Sequence, residues 1–344
     1  MRVGVYAGAA LLLAVLWSAR SGSQEEAEGT SPVPSGADPI YLVSQDLLDA
    51  AVSRPQEVPG AKEIVLLVHG TGATPKVNWD AALLQPLISQ GYQPYYLEIP
   101  DRLFLDTQIT AEYISHAVKK ISREYDTDIS IISWSAGALS TQWTLTFYPE
   151  TRAMVKRHIG IGGSYRGSWT MVPLVYLNMY SPAVVQQVPW SNFLKALRKY
   201  DGGGALVPTV SIGSSTDLIV QPSFYGEGLR GFKDSWRLNG PLARNIDIFK
   251  LCAGKAIRQW RLARIVSHDS LLWHPATHKI IFSALRNEDT YLSAADVVED
   301  TDCNGGLAPL VGPGVEAIIP ELIDYAPKQP VAGWPEVPIC NYAK

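Results

Sequence analysis

Three residue types able to act together, a serine, an acid and a histidine, follow one another in that order along the chain. Ser135 stands where a β-branched run, Ile129, Ile131 and Ile132, breaks at Ser133-Trp134-Ser135-Ala136-Gly137-Ala138. A helical spacing of Leu139, Trp143, Leu145 and Phe147 then continues to Pro149. Strand, tight turn and helix is the setting of a nucleophile elbow, which lifts a serine hydroxyl clear of a sheet beside a helix N-terminus. Strand and helix approach closely there, and Ala136, Gly137 and Ala138 are small enough to allow it. The pattern departs from G-x-S-x-G at its first position, where Ser133 replaces glycine at some cost in turn strain. An ordinary strand-to-helix turn with a surface serine has the same letters, so the surroundings must decide.

A serine needs a base, and the base needs an orienting acid. Four of the six histidines follow Ser135. His158 comes too early to leave room for an acid-bearing strand before it. His268 follows the apolar Arg264-Ile265-Val266-Ser267, which reads as a strand leading into a loop. His274 and His278 lie four apart around Pro275, but neither a carboxylate motif nor H-E-x-x-H accompanies them. A surface or capping role suits them better than a metal. For the acid, Asp217 leaves the apolar strand Leu206 to Ile212 through Gly213-Ser214-Ser215-Thr216. It is preferred to Asp247, which sits inside a strand-like Asn245 to Leu251 of its own. A plain turn or capping aspartate is the alternative.

Acyl transfer also needs donors for an oxygen that becomes charged only in the transition state. Glu63 to Val68 is a continuous apolar run ending in His69-Gly70-Thr71-Gly72, where glycines let the backbone approach a ligand. Thr71, by its N–H and its hydroxyl, is the candidate donor, with the Ala136 N–H as its partner. A dinucleotide fingerprint would require a third glycine where Pro75 stands.

The intervening elements alternate. Ala81 to Gln90 reads as a helix stopped by Gly91, Tyr95 to Ile99 as a strand, and Thr107 to Tyr125 as an amphipathic helix with Asp106 as its N-cap. Such alternation predicts an α/β protein with a parallel sheet wrapped on both faces.

Met1-Arg2 and the apolar run Val3 to Trp17, followed by small residues, read as a secretory signal peptide over 1–23. The run is shorter than the roughly 20 residues a membrane anchor needs. Gln24 to Ser31, with Glu25, Glu26 and Glu28, reads as a pro-segment or disordered linker over 24–31. Loss of the signal peptide removes two arginines and takes the formal charge from -4 to -6, which leaves no basic patch for nucleic acid. With 47% hydrophobic residues and no internal repeat, residues 32–344 form one expected catalytic domain. Three cysteines leave one over. A bridge between Cys252 and Cys303 would stabilise by about 4 kcal/mol through loop closure, but the count does not fix the pairing.

With these pieces placed, the chain resembles the secreted fungal lipases of the lipase B type, a branch of the α/β-hydrolases. Similar segments are Val33 to Pro39, Gly70-Thr71-Gly72, Trp134-Ser135, Leu145-Thr146-Phe147, Thr216-Asp217-Leu218-Ile219-Val220-Gln221-Pro222 and Thr301-Asp302-Cys303-Asn304. The resemblance implies an α/β-hydrolase fold with a mostly parallel central sheet and helices on both faces. It implies Ser135, Asp217 and His268 as triad, Thr71 and Ala136 as oxyanion hole, a Cys252–Cys303 bridge, and Trp134 as the floor of a pocket beside the alcohol group. Ala136 stands where the family has glutamine. Ser164 stands for an aspartate of the acyl pocket, with Gln187 as its expected polar neighbour. Gly226 to Arg244 has no counterpart, and the cysteines of the family's other disulfides are missing.

The sequence thus predicts a secreted, extracellular serine carboxylic-ester hydrolase that forms an acyl-enzyme and needs neither cofactor nor metal. Its expected partners are an ester or lipid substrate and a lipid–water interface, with no nucleic acid and no obligate protein partner. Met171 to Tyr180 and Leu307 to Tyr325 are expected to line an acyl channel, the second as a mobile cover; buried core helices are the alternative. Two further readings are an esterase or acyltransferase restricted to soluble short-chain esters, and a non-catalytic binding protein of the same fold.

Overall fold

Continuous apolar runs become the centre of a sheet. The computed structural model describes residues 31–176, 181–225, 233–258, 264–286, 293–315 and 336–344, together with Pro320 and Tyr325. The strands are β1 (Val52–Ser53), β2 (Glu63–Val68), β3 (Tyr92–Leu97), β4 (Ile129–Trp134), β5 (Val155–Ile161), β6 (Thr209–Gly213) and β7 (Ala243–Asp247). They form one sheet in the order β1-β3-β2-β4-β5-β6-β7. Only β1, at the edge, runs antiparallel to its neighbour; every other pair is parallel. Five of the six residues of β2 and all six of β4 are buried, as a sheet covered on both sides requires.

The helices α1 (Thr107–Tyr125), α2 (Ala136–Phe147), α4 (Ile248–Arg258) and α5 (Pro275–Arg286) cover the sheet, whereas α3 (Met171–Tyr176) packs in a separate cluster with Phe104, Val184 and Val185. Strand alternation divides the core between two faces. Val65, Leu67, Ile132 and Trp134 pack with Ile248 and Cys252 of α4 and Ala276, Ile280 and Ile281 of α5. Leu66, Val68 and Ile131 pack instead with Ile114, Ala117, Val118 and Ile121 of α1 and with α2. The Asp106 carboxylate accepts from Gln108 N–H and caps α1 where the sequence places the start. All of α2 is buried.

Several elements differ from their expected form, among them β6, which starts at Thr209 rather than Leu206. The helix placed at Ala81 to Gln90 begins earlier, at Pro75, behind the Thr74 cap, and widens into a π turn over Asp80–Leu84. Pro86, just beyond, has no N–H to donate and needs room for its ring, which the wider turn provides. Strand β3 starts at Tyr92 and ends at Leu97, because it pairs residue for residue with β2 from Glu63 to Val68. Arg264 to Ser267 is not a strand. Side chains satisfy its backbone instead: the Val266 N–H donates to the Thr216 hydroxyl, and the Val266 carbonyl accepts from Ser214 and Thr216. The Asn245 to Leu251 stretch ends as a strand at Asp247, whose carboxylate accepts from the N–H of Lys250 and so caps α4.

Cys252 and Cys303 form a disulfide and Cys340 is free. The expected signal peptide and most of the 24–31 linker lie outside the described residues, as do 177–180, 226–232, and most of 316–325. Among the described residues no helix is long and apolar enough to cross a membrane.

Candidate active site

Ser135 terminates β4 with φ 56° and ψ −128°, and α2 begins at the next residue. This is a strained conformation for any residue with a side chain. Main-chain contacts hold it, since Ser135 N–H donates to the Ile161 carbonyl on β5 at 2.9 Å. Ser133 is not among the residues of positive φ, so the expected turn strain falls on Ser135 itself. The small residues have a definite cause: a Cβ on Gly137 would lie 2.3 Å from the His69 carbonyl oxygen, where α2 crosses the end of β2.

The His268 Nε2 lies 2.9 Å from the Ser135 Oγ, and its Nδ1 lies 2.7 Å from the Asp217 Oδ2. Asp217 is 1% exposed, and its other oxygen accepts from Ile219 N–H at 2.7 Å and Val220 N–H at 3.0 Å. Two backbone donors therefore fix the carboxylate that fixes the imidazole. His268 is held in other ways too. Val266 is pinned by Ser214 and Thr216, and the Trp134 indole lies against the ring at 4.9 Å between centroids while its N–H donates to the His268 carbonyl. Gly162, at φ 57°, leaves the space the ring occupies; a Cβ there would be 2.9 Å from Cε1. Nothing in the sequence marks Gly162 apart from other loop residues, and the part played by Ser214 and Thr216 shows only in their bonds to Val266.

Thr71 follows β2, and its hydroxyl oxygen is buried without a hydrogen-bond partner among the described residues. Ala136 is the first residue of α2, where N–H groups have no carbonyl partner within the helix. Gly70 must lack a side chain, because its Cβ would fall 2.6 Å from the Trp134 ring, and its N–H donates to Asn78. Gly72, at φ 81°, meets a turn in which Asp101, Arg102 and Leu103 all have positive φ, at 49°, 50° and 61°. None of the three is glycine, and such conformations cost ~1–2 kcal/mol each. The chain keeps this turn beside the Thr71 loop, and the sequence carried no signal for it.

Ser164 donates to the Gln187 side-chain carbonyl at 3.1 Å, and the Gln187 amide donates to the Ala183 carbonyl. Both residues are buried and hydrogen-bonded to each other. Asp247 is drawn away from His268: it binds the Ser215 N–H and hydroxyl and caps α4. Trp134 is 1% exposed and is part of the core, although its ring touches His268.

The remaining histidines bond within the fold, His116 to Asp49 at 3.1 Å. The His158 Nε2 and the Ser133 hydroxyl are hydrogen-bonded at 2.6 Å beneath the elbow, which gives Ser133 a partner. His69 accepts from Ile99 N–H, His278 bonds to the Leu272 carbonyl, and His274 accepts from Ala276 N–H at the start of α5. His274 thus has its capping role, whereas neither it nor His278 is on the surface. Among the described residues no cluster of three or more metal-binding side chains occurs.

Burial pushes the imidazoles of His69 and His278 down to about 4 and that of His158 to about 3. An unfolded chain takes up these protons near pH 6.5, while the folded chain does not. Their contribution to stability is therefore whole above about pH 6.5 and is lost as pH falls toward 4, at roughly 1.4 kcal/mol per pH unit for each ring. The thermal midpoint is expected to drop steeply between pH 6.5 and 4.5, and His158→Gln should flatten the slope. A midpoint constant over that range would show that the rings titrate freely.

A mostly parallel sheet wrapped by helices, with a serine elbow after β4 and an acid and a histidine on later loops, defines an α/β-hydrolase. No family model matches the chain. Lipase B of Pseudozyma antarctica is 30% identical over 317 residues, covering 86% of this chain and 88% of that protein. The crystal structure of Aspergillus fumigatus lipase B matches with a TM-score of 0.77 at 26% identity, covering 94% of this chain and 78% of that one. The chain belongs to the lipase B family and is a carboxylic-ester hydrolase of the lipase or esterase type.

Proposed function

We propose that the protein is a secreted serine lipase whose nucleophile is Ser135. One observation supports this above all: the unbroken chain of hydrogen bonds from the Ile219 and Val220 N–H groups through Asp217 and His268 to the Ser135 hydroxyl. As an ester carbonyl meets Ser135, His268 Nε2 takes the hydroxyl proton while Oγ bonds to the carbonyl carbon. The carbonyl oxygen becomes an oxyanion held by the Ala136 N–H and by Thr71 through its N–H and hydroxyl. Collapse breaks the bond to the alcohol oxygen, which leaves with the proton from His268. Water then repeats the sequence on the acyl-enzyme, and the acid departs with Ser135 restored. Asp217 stays ionised and orients the imidazole throughout. Trp134, whose indole lies against His268, is proposed to exclude bulky branched alcohols, as the resemblance implies.

A lipid surface, rather than soluble esters alone, is favoured by apolar side chains on the same loops as the triad. Leu218 and Ile219, just after Asp217, are 76% and 40% exposed, and Ile265, three residues before His268, is 76% exposed. Burying them in lipid is worth ~25 cal/mol per Å². Met171, Leu174 and Val175 of α3 are only half-buried and pack, as Tyr325 does, against the buried cluster of Phe104, Val184 and Val185, so one residue or more of each segment expected to line the acyl channel rests on the same cluster. The Cys252–Cys303 bridge suits an oxidising, extracellular location.

The rate is expected to keep rising when tributyrin, and then a long-chain triglyceride, passes its solubility limit, with modest interfacial activation. The measurement is initial rate against substrate concentration across that limit. Turnover confined to dissolved short-chain esters would make the protein an esterase and leave the triad untouched.

A further inference from the structure

Arg102 occupies the centre of the left-handed turn, at φ 50° and ψ 42°, and meets Gly72 at two points. Its carbonyl accepts from the Gly72 N–H at 2.7 Å, and its Nη1 donates to the Gly72 carbonyl at 3.4 Å. The residue next to Thr71 is thus held at both of its main-chain polar groups by a single side chain and its backbone. The Tyr325 ring covers the guanidinium at 4.1 Å and lies 5.9 Å from the Phe104 ring, which keeps the planar group facing the loop. A strained backbone persists only where its surroundings over-determine it, and such strain gathers at functional sites.

We propose that Arg102 is a positioning residue for the oxyanion hole: by clamping Gly72 it holds the Thr71 donors where the transition-state oxygen forms. The proposal rests on the reading of Thr71 as an oxyanion donor. Donors act there only if they are preorganised, and a misplacement of about 1 Å can cost on the order of 10²-fold. Arg102 touches no reacting atom. The same cation also acts on Glu98, whose carboxyl burial pushes up and Arg102 pulls back, so charge balance is the competing role.

Arg102→Gly isolates the guanidinium from the backbone, because glycine tolerates the left-handed conformation and keeps the carbonyl that binds Gly72 N–H; Arg102→Lys then separates the clamp from the charge. The glycine variant is expected to unfold at the same temperature as the parent or higher. Its kcat should fall about tenfold with KM within twofold, and affinity for a trifluoromethyl ketone, whose adduct with serine carries an oxyanion, should fall by the same factor. Thr71→Val should lose about 10²- to 10³-fold in kcat. The double variant should lose less than the product of the two single losses. Arg102→Lys keeps the charge without the planar fork, and it too should lose kcat. If Arg102→Gly kept kcat within twofold while Thr71→Val showed its full loss, the clamp would be excluded and the oxyanion reading retained. Thr71→Val within threefold of the parent would leave only the Thr71 N–H in the oxyanion role, and the clamp would then stand or fall on the loss of kcat and of ketone affinity in Arg102→Gly. An Arg102→Lys variant equal to the parent would assign Arg102 to charge balance with Glu98 and overturn the proposal.

Discussion

Ser135→Ala is expected to lower kcat by about 10⁶ and to leave the fold unchanged. The magnitude is that of nucleophile removal in serine hydrolases generally, where the oxyanion donors alone retain roughly 10³- to 10⁴-fold over water. The structure explains why the change should be confined to chemistry. The substitution deletes one oxygen, and that oxygen's contact is with the His268 Nε2. The strained backbone at Ser135 is held by its N–H bond to Ile161 and by the close seating of Gly137 on the end of β2, both of which alanine keeps. Circular dichroism and thermal midpoint should therefore match the parent. A fluorophosphonate probe should label the parent at this residue and the variant nowhere. Retention of more than a few per cent of the activity would place the nucleophile elsewhere.

Asp217→Asn should cost about 10⁴ in kcat, comparable to the loss known for the equivalent change in a serine protease triad. The reason here lies in which oxygen does what. Oδ1 accepts from the Ile219 and Val220 N–H groups, and Oδ2 faces the His268 Nδ1. An asparagine must leave its carbonyl with the two backbone donors, so its NH₂ turns toward His268. The imidazole can then meet it only by presenting Nδ1 as an acceptor, with its proton on Nε2. That nitrogen faces Ser135 and can no longer accept a proton. The shape of the site survives while the base has the wrong tautomer, so KM and thermal midpoint should change little. A loss below tenfold would remove Asp217 from the role of orienting acid and would reopen the choice of acid.

Much of the fold was legible in the chain because the signals are local. The run of five apolar residues from Ile64 to Val68, β-branched in part and closed by a glycine loop, reads as a strand covered on both sides, and an aspartate before a run with helical period caps a helix. The elbow was legible for the same reason, since it is a break between two periodicities within a few residues. The failures came where long-range partners override local pattern. Arg264 to Ser267 looks like a strand but is bound by side chains from the loop after β6. The helix expected from Ala81 starts earlier because proline acts on the turn before it, and a π turn leaves no trace in spacing.

By itself, the sequence determined the α/β alternation, the elbow at Ser135, the glycine loop after β2 and the order of serine, acid and histidine. Each rests on residues close together in the chain, where propensity and periodicity operate. Only the tertiary structure decided the rest. It caps α4 with Asp247 and leaves Asp217 against His268, empties the space at Gly162 for an imidazole more than a hundred residues away, joins Ser133 to His158, and sets Arg102 on the backbone of Gly72. These are contacts between segments whose separation along the chain carries no information about their separation in space. They exist because a parallel sheet brings the ends of distant strands to one edge, and it is at that edge that the loops meet.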